Sequence, residues 1–98
     1  MKVINQIVSW HHARNLIEGS TDFAQFQKLM HEMVELMDSL RDGKSPIDDI
    51  GDIAVVLLNI AERNGLSFED CLNHAYNDIK DRKGRMVNGL FVKEQQGD

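Results

Sequence analysis

Apolar residues recur along this chain at helical intervals, and turn residues separate the recurring blocks. Val3, Ile4, Ile7, Val8 and Trp10, followed by Leu16 and Ile17, predict a first helix over about 2–17, with Gly19 ending it. Thr21 or Asp22 caps a second helix over about 22–41, and Gln25 stands three residues after Asp22 as in a capping box. The apolar stripe of that helix is Phe26, Leu29, Met30, Met33, Leu36, Met37 and Leu40, and Asp42-Gly43 closes it. Ser45-Pro46 opens a third helix over about 46–64, as a cap residue followed by proline at the first helical position, and Asn64-Gly65 closes it. This third helix is apolar nearly all round, from Ile47 and Ile50 through Ile53 to Ile60, which predicts a central position and contact with a second subunit.

Ser67 with Asp70 has the form of a further capping box, starting a fourth helix over about 68–82 through Leu72, Ala75, Tyr76 and Ile79, with Gly84 beyond its end. The tail, 85–98, has a different pattern. Its Asn88-Gly89 pair, between Met86-Val87 and Leu90-Phe91-Val92, permits a short hairpin that is marginal by itself. The expectation is one all-α domain over 1–98, four-helix bundle-like, with an irregular or short-hairpin C-terminal tail.

Within these helices two pairs of acids stand out, Glu32 with Glu35 and Asp49 with Asp52. Residues three apart on a helix project from one face, about 5–6 Å apart at Cβ, so each pair aims two carboxylates into one volume. Taken singly, either pair reads as a solvated helix face, and Asp48 and Asp49 also suit a helix N-terminus. However, Glu32 and Glu35 are interleaved with Met33, Leu36 and Met37, and Asp52 directly precedes the apolar run from Ile53. Helices joined by a short turn pack antiparallel, and inward carboxylates from facing helices are how bundle metal sites are built. Mg²⁺, a hard cation that takes oxygen ligands and keeps sites for phosphates, is the expected occupant, with Mn²⁺ as a substitute.

Composition narrows the partners. The 98 residues carry a formal net charge of −5, which argues against nucleic-acid backbone as a ligand, while the basic residues Lys80, Arg82, Lys83 and Arg85 cluster late in the chain. No apolar run approaches the roughly 20 residues of a membrane span, and the start lacks the pattern of a secretory signal, so a cytoplasmic location is expected. Cys71 is a lone thiol and reads as a small buried hydrophobe, and His74 is isolated. No Gly-rich phosphate loop, zinc-ligand spacing or Ser/His/Asp arrangement occurs.

Gln25, Lys28-Leu29, Glu32, Glu35-Leu36, then Asp49 and Gly51-Asp52-Ile53, resemble the motif of the MazG-like all-α nucleoside triphosphate pyrophosphohydrolases, in which E-x-x-E on one helix and E-x-x-D on the next bind Mg²⁺. The resemblance runs from about Trp10 to Val92 and is to small single-domain members. It departs from the family pattern at His31, where a glutamate is common, and at Asp49, which is one methylene shorter than the usual glutamate. His31 is either an exposed helix residue or a group orienting a ligand.

The resemblance implies hydrolysis of a (deoxy)nucleoside triphosphate to monophosphate and pyrophosphate. Glu32, Glu35, Asp49 and Asp52 would be the metal ligands, and Glu32 or Glu35 the base. Asn77, Lys80 and Arg82 would meet the phosphates, with Lys28 as a further candidate that also has the spacing to pair with Glu32. Trp10 and Arg14 are candidate base-recognition groups, alongside His11, His12 and Asn15. A homodimer or dimer-based homotetramer is implied as well. A phosphoribosyl-ATP pyrophosphatase-like enzyme and a non-catalytic helical dimerisation or adaptor module are the competing readings.

Overall fold

A computed structural model describes residues 1–94, and residues 95–98 of the expected tail lie outside the described part. The chain is mostly helical, with a small two-stranded hairpin at its C-terminal end: α1 (Lys2–Ala13), α2 (Asp22–Arg41), α3 (Ile47–Arg63), α4 (Phe68–Ile79), β1 (Gly84–Val87) and β2 (Leu90–Lys93). It divides into two compact units, Met1–Phe68 and the remainder from Glu69.

In the first unit α3 packs against both α2 and α1, giving it the central place its apolarity predicts. The α2 and α3 helices run antiparallel. Arg63 at the end of α3 donates to Asp22 at the start of α2 (3.0 Å), while Glu32 in mid-α2 lies beside Asp52 near the start of α3. Val56, Leu58 and Ala61 of α3, with Ile17, are the buried apolar residues among those described. Full burial of a Val or Leu side chain is worth about 1.5–3 kcal/mol.

All three helices of this unit end in the same way. The N–H of Leu16 bonds to the His11 carbonyl (2.9 Å) and that of Asn15 to His12 (3.1 Å), with Asn15 at φ 58°. Lys44 and Gly43 repeat this arrangement on Ser39 and Leu40, and Leu66 and Gly65 on Ala61 and Glu62. These are Schellman motifs, which need a residue at positive φ; glycine fills the position twice and Asn15 once. The first helix therefore stops at Ala13 and not at residue 17, because Asn15 ends it before Gly19 is reached. The Gly19 φ is not in the left-handed region.

The caps also differ in detail from expectation. Thr21, not Asp22, caps α2 by accepting from the Ala24 N–H (3.0 Å), and the Gln25 amide turns to Ser20 Oγ (2.9 Å), so no capping box closes. Pro46 occupies the cap position of α3 and not the expected first helical position, so the helix begins one residue later than expected, at Ile47.

The largest departure concerns the apolar stripe of α2. Leu29 and Leu36 are half-buried, but Phe26, Met30, Met33, Met37 and Leu40 are exposed, because α3 covers a neighbouring face of the helix that also carries Glu32. Phe23 is exposed too.

In the second unit α4 ends at Ile79, three residues before the expected end, and Gly84 begins β1. The strands pair antiparallel, with Val87 opposite Leu90, around Asn88 (φ 52°) and Gly89 (φ 83°). Positive φ at both turn residues is the type I′ geometry that Asn-Gly favours, so the permitted hairpin forms.

Candidate metal centre

One carboxylate oxygen each from Glu32, Glu35 and Asp52 lies within 4.8 Å of the other two. The i,i+3 spacing on α2 supplies two of the three, and the antiparallel pairing of α2 with α3 supplies the third. Glu32 is buried at 4% exposure, whereas Glu35 and Asp52 open to solvent. The Lys28 ammonium, one turn earlier on α2, bonds to Glu32 Oε1 at 2.8 Å. Glu32 Oε2 is buried without a hydrogen-bond partner. A buried carboxylate oxygen with no donor is costly, and it is the chemistry expected of a ligand awaiting a cation.

The electrostatics of the three acids are unequal. The Lys28 hydrogen bond holds the Glu32 carboxyl below its ordinary value of 4.5, against a desolvation that pushes it up. Glu32 in turn raises the Lys28 ammonium, chiefly through the same bond. Asp52 goes the other way: desolvation raises it above 3.8, and the charges of Glu32, Asp48 and Asp49 push in the same direction. The centre thus holds more negative charge than Lys28 can balance.

Asp49 is nearly buried, at 9% exposure, and stands one helical turn before Asp52. Its carboxylate is not among the three that come within 4.8 Å of one another, so it enters as a neighbouring charge on Asp52. His31 Nε2 lies 3.1 Å from Glu35 Oε1, which gives this histidine a specific carboxylate to orient. The i,i+4 spacing of His31 with Glu35 was the available signal for that contact, as the same spacing of Asp48 with Asp52 was for the charge behind Asp52.

Trp10 is exposed at 45%, so it is a surface ring and not part of the core. The Arg14 guanidinium lies 4.4 Å above its centroid, and the His11 ring meets it edge-on at 5.6 Å. The Trp10–Arg14 pair is a solvated cation–π stack, itself worth about 0.5–1 kcal/mol. His11 turns inward: its Nε2 donates to the Val55 carbonyl (3.0 Å), and its Nδ1 accepts from the Asn59 amide (3.2 Å). The Asn59 amide also donates to the Leu16 carbonyl (3.0 Å), so His11 ties α1 to α3 and is not a base-recognition group. His12 bonds to Glu62 at 2.6 Å. Asn77 is on α4, with Lys80 and Arg82 just past its end, and Arg82 pairs with Asp78 at 2.9 Å.

The chain is similar to an uncharacterized 18.2 kDa protein from the rep-hol intergenic region of Haemophilus phage HP1. It is 40% identical over 65 residues, which are 64% of this chain and 40% of the phage protein. The chain therefore spans about two fifths of the length of the curated relative it matches. No family model and no solved structure matches.

Proposed function

We propose that this chain is a MazG-like, Mg²⁺-dependent nucleotide pyrophosphohydrolase acting on a (deoxy)nucleoside triphosphate, with Glu32, Glu35 and Asp52 as its metal ligands. The observation that carries this reading is the convergence of three carboxylates from two facing helices around a buried oxygen that no donor satisfies. Oxygen-only donors of this kind fit Mg²⁺ or Mn²⁺ and leave positions for phosphate and water. The ion, when bound, supplies neutralisation of the triphosphate and a more acidic attacking water.

The chain's own groups divide the remaining work. Lys28 keeps Glu32 ionised and fixes its orientation, which suits a ligand better than a base. Glu35, open to solvent and aligned by His31, is the better placed of the two glutamates to accept a proton at its carboxylate. Asp49 reinforces the negative field from behind Asp52. Trp10 with Arg14 offers a flat surface for a base.

The test is pyrophosphate release from a panel of nucleoside and deoxynucleoside triphosphates, with and without Mg²⁺ or Mn²⁺. Metal-dependent release that falls about 10²-fold or more in Glu35→Gln is the expected result. No release from any nucleotide with either metal rejects the reading. The exposed apolar face of α2 favours a second reading, a helical dimerisation or adaptor module with bystander acids. In that case metal would leave the melting temperature unchanged.

A further inference from the structure

Two Asn-Gly pairs stand in this chain, Asn64-Gly65 and Asn88-Gly89. In such a pair the glycine amide nitrogen can attack the side-chain carbonyl carbon of the asparagine, and a residue without Cβ hinders that approach least. The two pairs look alike in sequence, but the fold holds them differently. Asn64 is the C-terminal cap of α3, and its Nδ2 donates to the Ile60 carbonyl (2.8 Å) and to Asp22 Oδ1 (3.3 Å). The Gly65 N–H, which would be the nucleophile, donates to the Glu62 carbonyl (3.1 Å). Asn88 has none of these restraints. It is exposed, and among the described residues neither its side-chain amide nor the Gly89 N–H holds a hydrogen bond.

The backbone around Asn88 also gives way more easily. Attack requires rotation about the Asn88 Cα–C bond, which takes the turn out of its type I′ geometry, with φ 52° at Asn88 and 83° at Gly89. The element that resists this rotation is the hairpin, two strands of four residues each, all of them exposed. A two-stranded hairpin is marginal by itself. Freeing Asn64, by contrast, means undoing the end of α3 together with its tie to Asp22 at the start of α2.

We propose that Asn88 is a site of spontaneous chemical modification, deamidating through a cyclic imide while Asn64 is held intact. The Gly89 nitrogen forms a bond to Asn88 Cγ, the Cγ–Nδ2 bond breaks, and ammonia leaves with the proton of the Gly89 N–H. Water then opens the ring, its hydroxyl adding to one carbonyl carbon and its proton returning to the nitrogen. Addition at Cγ gives aspartate with the ordinary backbone. Addition at the main-chain carbonyl carbon gives isoaspartate, in which the chain runs through Cγ and is one methylene longer. Asp-Gly also suits a type I′ turn, so the first product keeps the hairpin and adds one negative charge. The longer backbone of the second breaks the two-residue turn that sets Val87 opposite Leu90, and so unpairs the strands. The modification is independent of the metal reading, because none of the acids of that centre takes part.

Peptide mapping by mass spectrometry, on the full chain incubated at mildly alkaline pH to favour the deprotonated nitrogen, tests the proposal. In the folded chain, conversion at Asn88 should run about tenfold or more ahead of conversion at Asn64, and in concentrated urea the two rates should converge. Isoaspartate at position 88 should also accept a methyl group from an isoaspartyl methyltransferase, and Asn88→Ser should abolish that labelling. Asn64 converting as fast as Asn88 in the folded chain overturns the proposal, as does an Asn88 that stays intact over the time in which the urea-treated chain converts. A lead of Asn88 that persists unchanged in urea overturns it too, because sequence neighbours and not the fold would then set the rate.

Discussion

The first unit contains two polar clusters between helices, and they are built on opposite principles. Between α1 and α3, His11 and Asn59 match donor to acceptor: both amide hydrogens of Asn59 are used, and both His11 nitrogens are engaged. Asn59 Oδ1 is the one buried atom there without a partner. Between α2 and α3, by contrast, three carboxylates face one lysine, and the mismatch is of charge. The first cluster carries no excess charge, leaves only a neutral amide oxygen unpaired, and works as a staple. The second becomes balanced only when positive charge arrives, which separates a structural polar group from a candidate binding site.

Breaking the staple should have the largest effect. Asn59→Ala strands the buried His11 Nδ1 and the Leu16 carbonyl and leaves a small void, at a cost of about 2–4 kcal/mol. Thermal unfolding should show a lower melting temperature, with the rise produced by Mg²⁺ preserved. Loss of the metal response in Asn59→Ala would mean that the two clusters are not separable. Glu35→Gln should do the reverse. For the parent, a hundredfold excess of Mg²⁺ over its dissociation constant should add about 2.7 kcal/mol of stability, and the substitution should remove most of that gain. A parent indifferent to both Mg²⁺ and Mn²⁺ would show that the acids tolerate their own crowding.

The two clusters were unequally legible in the sequence. The acid cluster could be read because its geometry is local: an i,i+3 pair on each of two helices, joined by the short link from Asp42 to Pro46, has few ways to pack. Its asymmetry could not be read, since the exclusion of Asp49 from the close set depends on side-chain length and helix rotation. Asn59 gave no signal at all. An asparagine in an apolar run is indistinguishable from a surface residue until α1 is known to stop at Ala13 and deliver Leu16 and His11 to it. That stop was missed because Asn15, and not glycine, supplies the left-handed residue. The apolar stripe of α2 was visible as periodicity, but periodicity alone does not say whether a face is covered by its own chain or by another.

A smaller effect is expected from Lys28→Met, which keeps the stem length and removes the cation. Lys28 is more than half exposed, so the pair itself contributes on the order of 1 kcal/mol or less, although Glu32 is buried. Without metal the variant should melt slightly below the parent, and with Mg²⁺ the difference should narrow as the ion replaces the ammonium. A difference unaffected by Mg²⁺ would place the ion's binding away from Glu32.

The finest distinction comes from pH in metal-free buffer. The fold holds the Asp52 proton more tightly than the unfolded chain does, so the stabilisation from this group is fully present below its ordinary value of 3.8 and is lost as pH rises through the higher folded value. Glu32 has the opposite sign: its contribution is present above 4.5 and disappears as pH falls through the lower folded value. The two partly cancel in the parent, so the informative quantity is the melting temperature of the parent minus that of Asp52→Asn, whose side chain does not titrate. With a chelator present this difference should fall as pH rises from below 3.8 through the higher folded value of Asp52, because only the parent acquires the crowded charge. Added Mg²⁺ should reverse the trend, since the ion binds the ionised carboxylate and the asparagine variant lacks it. A difference that stays flat with pH would mean that the Asp52 charge sits comfortably in water, and the contrast between a matched and a mismatched cluster would then fail at this acid.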